Sequence, residues 1–272
     1  MEEAVRPHAS VSQVLKYARC PEEYRLSYIE KKNPHKPAAW LAQGTAFHVA
    51  VQGWEDSGRD VAFDIGRTYE LTYDTEIESF KLQQPDLKVW LHAPRVTTED
   101  DIIARRQRGA EQLRNYVRFS EENPFGIKAI DDYTLALEVP FEVEIGGVLV
   151  KGAIDQILLD FDGVEVRDLK TGNRESANLQ LGVYTHVVEK IFGWHVTKAS
   201  YYYAKDNKVV TLSRKDLDRY DEVYLSELFQ SLRRGIENDV YIPNPGGHCT
   251  LCPVRDNCRE MGNSPERMHR YG

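Results

Sequence analysis

Two aspartates and a lysine occupy neighbouring apolar segments near the middle of the chain. Asp155 lies in a segment rich in valine, isoleucine and leucine, and Asp168 lies in the next one, two residues before Lys170. Carboxylate oxygens are the ligands that hard divalent cations such as Mg²⁺ prefer, and an ammonium group beside them can contact a phosphate. These residue types therefore indicate metal-assisted chemistry on an anionic substrate.

A β-hairpin is predicted to position these three groups. The pattern is a strand over 148–159, a turn at Asp162-Gly163, and a second strand from 164 towards Lys170. Alternate side chains of a strand share a face. Asp168 and Lys170 therefore point to one face of the predicted sheet, and Leu169 points to the other.

Two predicted helices carry further polar residues. Trp40–Trp54 has helical spacing and contains His48, whereas 178–192 contains Gln180 and Tyr184. Residues four apart lie on one helix face, so Gln180 and Tyr184 present their tips together. Taken alone, a helical histidine is more often a packing or surface residue than a ligand, and Asp-x-Lys is common on surface strands.

In this order the residues resemble the motifs of the PD-(D/E)XK nuclease superfamily, in particular the RecB-type exonucleases and the related CRISPR-adaptation nucleases. The resemblance implies that Asp155 is the first acidic ligand, Asp168 the second, and Lys170 the catalytic lysine. Gln180 and Tyr184 match the following Q-x-x-x-Y motif, which would hold the catalytic face and the nucleic acid. The chain has an aspartate at 168 where many relatives have glutamate.

The resemblance extends to residues 44–48, Gly-Thr-Ala-Phe-His, which match the family's G-x-x-x-H motif. It implies Mg²⁺ or Mn²⁺ bound by His48, Asp155, Asp168 and the Leu169 carbonyl. Oxygen ligands suit both cations, and the imidazole favours Mn²⁺.

Four cysteines lie at opposite ends of the chain, as Cys20 and then Cys249, Cys252 and Cys258. Two disulfides are not expected in an intracellular chain, and the C-x-x-C pair with a third cysteine nearby indicates a metal loop. Four thiolates suit either zinc or an iron–sulfur cluster. The layout resembles the 4Fe-4S staple of AddB and the CRISPR-adaptation nucleases, which implies a 4Fe-4S cluster joining the chain ends, with zinc as the alternative.

The whole pattern predicts an α/β fold with a restriction-endonuclease-like mixed sheet flanked by helices. We expect a single nuclease domain over 1–272, with a helical insertion at 58–123 and cluster-binding segments around 20 and at 249–258. Further helices are predicted from Ser10 to Cys20, within 58–94, and from Ser213 towards Gly235. Another helix is predicted to begin at Thr97 or Thr98, with Asp101 completing a capping box. Further strands are predicted at 133–145, 198–204 and 208–212.

Two sets of side chains are assigned structural roles. Tyr24 and Tyr28 are expected to pack in the core. Three outward-facing glutamates of the strand at 133–145 are expected to form a solvated face rather than to approach the metal; they are Glu138, Glu142 and Glu144.

Composition is that of an ordinary globular protein. Of 272 residues, 41% are hydrophobic and 29% charged, with no apolar run of membrane-spanning length and no signal peptide. We therefore expect a cytoplasmic protein.

The net charge of −8 excludes a generally basic nucleic-acid coat, so DNA binding would depend on bound metal and local basic patches. Basic patches of this kind are more often a solvated helix or loop face than a phosphate track. The candidate patches are Lys31, Lys32 and Lys36; Arg105, Arg106 and Arg108; Arg233 and Arg234; and Arg255 and Arg259.

The resemblance implies a metal-dependent DNA exonuclease acting on single strands or free ends. Its context would be recombination, repair, phage DNA processing or CRISPR adaptation, with a recombination protein, helicase or integrase as a possible partner and no membrane. The rival interpretation is a nuclease-like DNA-binding module that does not cleave. The combination of Asp155, Asp168 and Lys170 favours the nuclease, because a binding module does not need it.

Overall fold

The structure is a computed structural model that describes residues 8–32, 36–123, 125–172 and 177–262. The chain forms two compact units. Of the described residues, the first unit contains 8–32, 36, 142–152 and 222–262, and the second contains 37–123, 125–141, 153–172 and 177–221. Two of the strands contribute residues to both units.

Within its described residues, the second unit contains most of the sheet and five helices. Its elements in chain order are α3 Ala39–Asp56, α4 Ile65–Gln83, α5 Thr98–Glu122, β2 from Leu137, β3 as far as Asp160, β4 Gly163–Lys170, α6 Asn178–Phe192, β5 Val196–Tyr203, β6 Lys208–Ser213 and α7 Arg214–Leu217. A 3₁₀ turn at Leu87–Val89 lies between α4 and α5.

The sheet of the second unit is mixed. Strand β3 pairs antiparallel with β4, β4 pairs parallel with β5, and β5 pairs antiparallel with β6. Leu169 and Tyr202 are buried in one core with side chains of α3, α4 and α5. The neighbouring Tyr201, which points to the opposite face, donates a hydrogen bond to the Ala177 carbonyl just before α6. Helices therefore flank the sheet, and the predicted α/β class is confirmed.

The first unit contains both ends of the described chain. Its elements are β1 His8–Ala9, α1 Val11–Arg19, α2 Pro21–Tyr24 with a π-helical turn at Arg25–Ile29, the end of β2 at Ile145, the start of β3 at Val148, α8 Glu222–Glu237, and 3₁₀ turns at Gly247–Leu251 and Arg255–Asn257. Strand β1 pairs parallel with residues 149–150 of β3.

Local chemistry explains where several elements begin and end. The Ser10 side chain accepts a hydrogen bond from the Gln13 amide and caps α1. Helix α6 ends at Gly193, whose φ of 65° is in the left-handed region that glycine adopts readily. At the β3–β4 turn, a Cβ on Gly163 would lie 2.2 Å from the His195 carbonyl oxygen, so only glycine permits this approach.

Four predictions of local structure were wrong in part. The helix within 58–94 is confined to 65–83. Thr97 caps α5 and pairs with Asp100 rather than Asp101, because residue 100 is the third residue after the cap. Tyr24 is buried, but Tyr28, which lies within the π-helical turn, is 36% exposed.

The predicted long helix after Ser213 is broken into two helices. The Ser213 and Asp216 capping box is present, but it begins the short α7, and residues 218–221 separate this from α8. Among the residues that the structure describes, no helix has the length and apolar character needed to cross a membrane.

Candidate active site

His48, Glu138 and Asp155 converge in the second unit. The His48 Nδ1 donates a hydrogen bond of 2.8 Å to Glu138 Oε1 and lies 3.8 Å from Asp155 Oδ2. One ligand atom from each residue lies within 4.8 Å of the others. Helix α3 supplies the histidine, β2 the glutamate and β3 the aspartate, so three elements distant in sequence build this triad.

Four further polar residues form a chain beside the triad. Lys170 Nζ lies 2.7 Å from Asp168 Oδ2 and donates a hydrogen bond of 3.0 Å to Gln180 Oε1. Gln180 Nε2 in turn donates a hydrogen bond of 2.9 Å to the Tyr184 hydroxyl. The end of β4 and one face of α6 therefore hold the lysine between a carboxylate and an amide.

The main chain of β4 also orients the triad. The Leu169 amide donates a hydrogen bond of 2.7 Å to Asp155 Oδ2, so the carboxylate is fixed against the strand that carries Asp168 and Lys170. This contact is made by the Leu169 nitrogen. The predicted role of the Leu169 carbonyl as a metal ligand stays a prediction.

The site concentrates negative charge away from water. Burial lowers the pKa of His48, but Asp155, Glu138 and Asp168 outweigh this effect and raise the pKa to about 9. Burial and the nearby Asp168 raise the pKa of Asp155 to about 7. Burial also raises the pKa of Asp168, although Lys170 opposes the shift. A field that holds a proton on the imidazole and favours protonated carboxyls also attracts a cation.

The residues present fit a divalent metal ion. Two carboxylates and one imidazole with converging ligand atoms are a donor set that Mg²⁺ or Mn²⁺ accepts, and the imidazole favours Mn²⁺. The perturbed pKa values of His48 and Asp155 provide a second indication, because a cation would relieve the repulsion that raises them.

Sequence reasoning brought most of these residues together but assigned Glu138 to a solvated face. The alternation of β2 is as predicted, and Glu138 shares the outward face with Glu142 and Glu144. At this position, however, the face is covered by His48 of α3. No local signal separates Glu138 from the other two glutamates. Its backbone φ of 45°, which is uncommon for a residue other than glycine, became visible only in the structure.

Several basic residues proposed as phosphate tracks are paired with acids. Arg106 contacts Asp74 and Glu70 on α4, and Arg105 contacts Asp101. In the first unit, Lys36 Nζ lies 2.7 Å from Asp256. These side chains fit the structural alternative, a solvated and ion-paired surface, better than a dedicated DNA path.

The four cysteines lie together in the first unit. Cys20, Cys249, Cys252 and Cys258 are all free thiols and line one pocket, which His248 also lines. Burial, with further contributions that include Cys20 and Cys249, raises the pKa of the Cys252 thiol to about 11. The fold therefore gathers one cysteine from near the start of the chain and three from near its end.

Two phage proteins are similar to this chain in sequence over most of their length. The chain is 32% identical over 260 residues to the Gene 69 protein of Mycobacterium phage D29, covering 93% of this chain and 96% of that protein. The Gene 69 protein of Mycobacterium phage L5 is 28% identical over 279 residues, with the same coverage. A more distant likeness is the crystal structure of SSO0001, with a TM-score of 0.42 and 12% identity over 96% of this chain and 89% of that chain.

The family assignment rests on a match along nearly the whole described chain. A model of the PD-(D/E)XK nuclease superfamily matches residues 8–259, which include the triad, the lysine and all four cysteines. The chain therefore belongs to the PD-(D/E)XK nuclease superfamily.

Proposed function

We propose that the protein is a divalent-metal-dependent deoxyribonuclease that hydrolyses phosphodiester bonds. The observation that carries this proposal is the position of the His48, Glu138 and Asp155 triad beside the paired Asp168 and Lys170. A binding module has no need for a lysine held against buried carboxylates next to a cation site. The family of nucleases to which the chain belongs supports DNA as the substrate.

Each residue has a separate task in this proposal. His48, Glu138 and Asp155, together with Asp168, would hold Mg²⁺ or Mn²⁺. The bound cation would supply Lewis acidity and offset negative charge on the scissile phosphate. Lys170 would donate hydrogen bonds to the attacking water or to a phosphate oxygen, which stabilises the added charge of the transition state.

Gln180 and Tyr184 orient the lysine from α6. The amide oxygen of Gln180 accepts from Lys170 Nζ, and the Tyr184 hydroxyl accepts from the Gln180 nitrogen, so the direction of the Gln180 amide is fixed. Burial raises the pKa of Tyr184 above its ordinary value, so the hydroxyl is protonated at neutral pH. The hydroxyl thus remains available as a donor to a nucleotide.

The finer function that we propose is exonucleolytic cleavage of single-stranded DNA or DNA ends in the cytoplasm. The ordered motifs support a RecB-type exonuclease, and the relatives from two phages favour phage DNA processing over CRISPR adaptation or host repair. In this setting the partner would be a recombination protein or a helicase.

We also propose that the cysteine pocket holds a 4Fe-4S cluster rather than zinc. One contact and one buried polar atom without a partner support a bound group in this pocket. The Gly246 amide donates a hydrogen bond of 3.4 Å to Cys249 Sγ, and His248 Nε2 is buried without a hydrogen-bond partner in the described part of the chain. Hydrogen bonds to the sulfurs are typical of iron–sulfur sites.

The deciding experiment is digestion of DNA labelled at the 5′ or 3′ end, as linear single strands, linear duplexes and closed single-stranded circles. We expect stepwise degradation of linear single strands with Mn²⁺ or Mg²⁺, intact circles, and no cleavage in EDTA or by Lys170→Ala. Cleaved circles would contradict the exonuclease. DNA binding without cleavage in any metal would favour the binding module and overturn the proposed activity.

A further inference from the structure

A pair of buried glutamine side chains connects two helices to the end of the catalytic strand. Gln112 Nε2 on α5 donates a hydrogen bond of 2.8 Å to the Thr171 carbonyl. Gln43 Nε2 on α3 donates one of 2.6 Å to Gln112 Oε1, and Arg105 Nη1 donates one of 3.3 Å to Gln43 Oε1. Both glutamines are 1% exposed. We call Gln43 and Gln112 the amide relay.

The direction of the relay is determined by its two ends. Arg105 can only donate. Its guanidinium group donates a hydrogen bond to Asp101, and its Cζ lies 5.6 Å from the centroid of the Trp40 ring. The Thr171 carbonyl can only accept. Each glutamine must therefore present its oxygen towards Arg105 and its nitrogen towards Thr171. Reversing either amide would bring two donors or two acceptors together in a buried site, which is costly.

The relay ends on the main chain beside the proposed catalytic lysine. Thr171 directly follows Lys170, whose own carbonyl accepts a hydrogen bond of 2.9 Å from the Ala204 amide. One turn after Gln112 on α5, Asn115 Nδ2 donates a hydrogen bond of 3.1 Å to the Ala204 carbonyl. Gln112 thus anchors the end of β4, and Asn115 anchors the segment after β5.

Buried amides with this arrangement need a reason beyond packing. Apolar side chains of the same volume would fill the space between α3 and α5 without the cost of removing two amides from water. They could not, however, bond the carbonyl that follows Lys170. The side chain of Lys170 reaches Asp168 and Gln180 from this point of the main chain, so a small shift there would move its ammonium group.

We propose that Gln43 and Gln112 are positioning residues for Lys170. The relay fixes the carboxyl end of β4 and thereby places the lysine within reach of both Asp168 and the scissile phosphate. The expected effect on the cleavage rate rests on the proposed nuclease function. The expected effect on the end of β4 rests only on the hydrogen bond from Gln112 to the Thr171 carbonyl.

The kinetic test compares Gln112→Met and Gln43→Met with Ser120→Ala, a control that removes a different buried side-chain hydrogen bond of α5, the one from Ser120 to Glu55. We expect both methionine variants to lower kcat for cleavage on the order of tenfold, with unchanged KM for DNA and unchanged Mn²⁺ half-saturation. The double variant should be no slower than the slower single variant, because both act through one relay. Ser120→Ala should retain the wild-type kcat.

A second measurement does not depend on activity. Amide hydrogen exchange of the metal-free protein should be faster at Lys170 and Thr171 in Gln112→Met and Gln43→Met than in the wild type, with β6 unchanged. Unchanged exchange at these amides, unchanged kcat in an active enzyme, or failure of both variants to fold would overturn the positioning role. A wild-type protein that does not cleave DNA would instead refute the proposed function, and the exchange data would still decide whether the relay holds the strand.

Discussion

Glu138 is the residue whose role most depends on the folded state. It shares an outward strand face with Glu142, yet one glutamate contacts His48 and the other forms an ion pair with Lys151 at the surface. Identical side chains four residues apart thus have different chemistry because only one is covered by α3. The two glutamates offer a matched comparison of a proposed metal ligand with a surface carboxylate.

We predict that Glu138→Gln raises the Mn²⁺ concentration needed for half-maximal cleavage on the order of tenfold or more, because the site loses one negative charge and one oxygen ligand. Glu142→Gln should leave it unchanged, since exposed ion pairs contribute little. Metal titrations of cleavage at saturating DNA provide the measurement. Equal half-saturation in the two variants would return Glu138 to the solvated face predicted from the sequence.

The raised pKa values of His48 and Asp155 predict that metal binding releases protons. Without metal the pKa of His48 is about 9 and that of Asp155 about 7, so at pH 7 the imidazole is protonated and the carboxyl is partly protonated. A metal ligand must be deprotonated, so affinity for Mn²⁺ should rise as the pH rises from 6 to 10. Above this range both groups are already deprotonated, and the dependence should end.

Calorimetric titration of the metal-free protein with Mn²⁺ in buffers of different ionisation enthalpy would measure this release. At pH 7 we expect roughly one proton or more per metal, falling towards zero near pH 10. His48→Gln should lower the release at pH 8, where the imidazole supplies most of it. Heats that are the same in every buffer would show that the imidazole does not exchange its proton for the metal.

At the scale of elements, the sequence predicted correctly those helices and strands whose formation depends on residues close together in the chain. The alternating apolar segments around the turn at Asp162 gave the β3–β4 hairpin, and periodicity gave α6 with both of its ends. The break between α7 and α8 was missed, because helical spacing of apolar residues continues through residues 218–221. Contacts between distant segments, such as Glu138 with His48 or Gln112 with Thr171, leave no periodic signal and required the structure.

The hairpin that carries both aspartates depends on one glycine. A Cβ at Gly163 would meet the His195 carbonyl oxygen at 2.2 Å, and this oxygen accepts the hydrogen bond of the Val164 amide. We predict that Gly163→Ala lowers the free energy of unfolding by about 1–3 kcal/mol, because the backbone must shift. Gly126→Ala is the control, since nothing lies within 4 Å of its added methyl and its effect should stay within about 0.5 kcal/mol.

Urea unfolding of the two alanine variants would measure the difference. Because the clash is at the turn and Asp155 is fixed by the Leu169 amide, the stoichiometry of Mn²⁺ binding by folded Gly163→Ala should be unchanged. Equal midpoints for the two variants would mean that the loop after α6 moves without cost, and the close approach would not explain the glycine.

At the scale of the whole molecule, the sequence separates the cysteines by most of its length while the first unit brings them to one pocket. Cys20 follows α1, and the other three occupy the last described segments, with little regular structure around them beyond short 3₁₀ turns. The apolar side chains that pack there are few, mainly Leu26 and Val254. A bound group would therefore supply much of the stability of this region.

The resulting prediction is that protein purified without oxygen is brown and contains iron and sulfide. A group that binds only the folded chain adds its binding energy to folding, and a link between distant segments restricts the unfolded chain strongly. Cys20→Ser, Cys249→Ser or Cys258→Ser should therefore remove the colour and lower Tm, with loss of activity as a consequence. Lys170→Ala should keep the colour and Tm while losing activity.

These two classes of variant separate the cysteine site from the cleavage site. Iron and sulfide analysis, the visible spectrum and Tm would be measured on the same anaerobic samples as cleavage of labelled DNA. Zinc without iron in the wild type would contradict the cluster and leave the nuclease proposal standing, because no residue of the triad lies among the four cysteines. A cysteine variant that lost its colour but kept the wild-type Tm would show that the bound group does not hold the chain ends together.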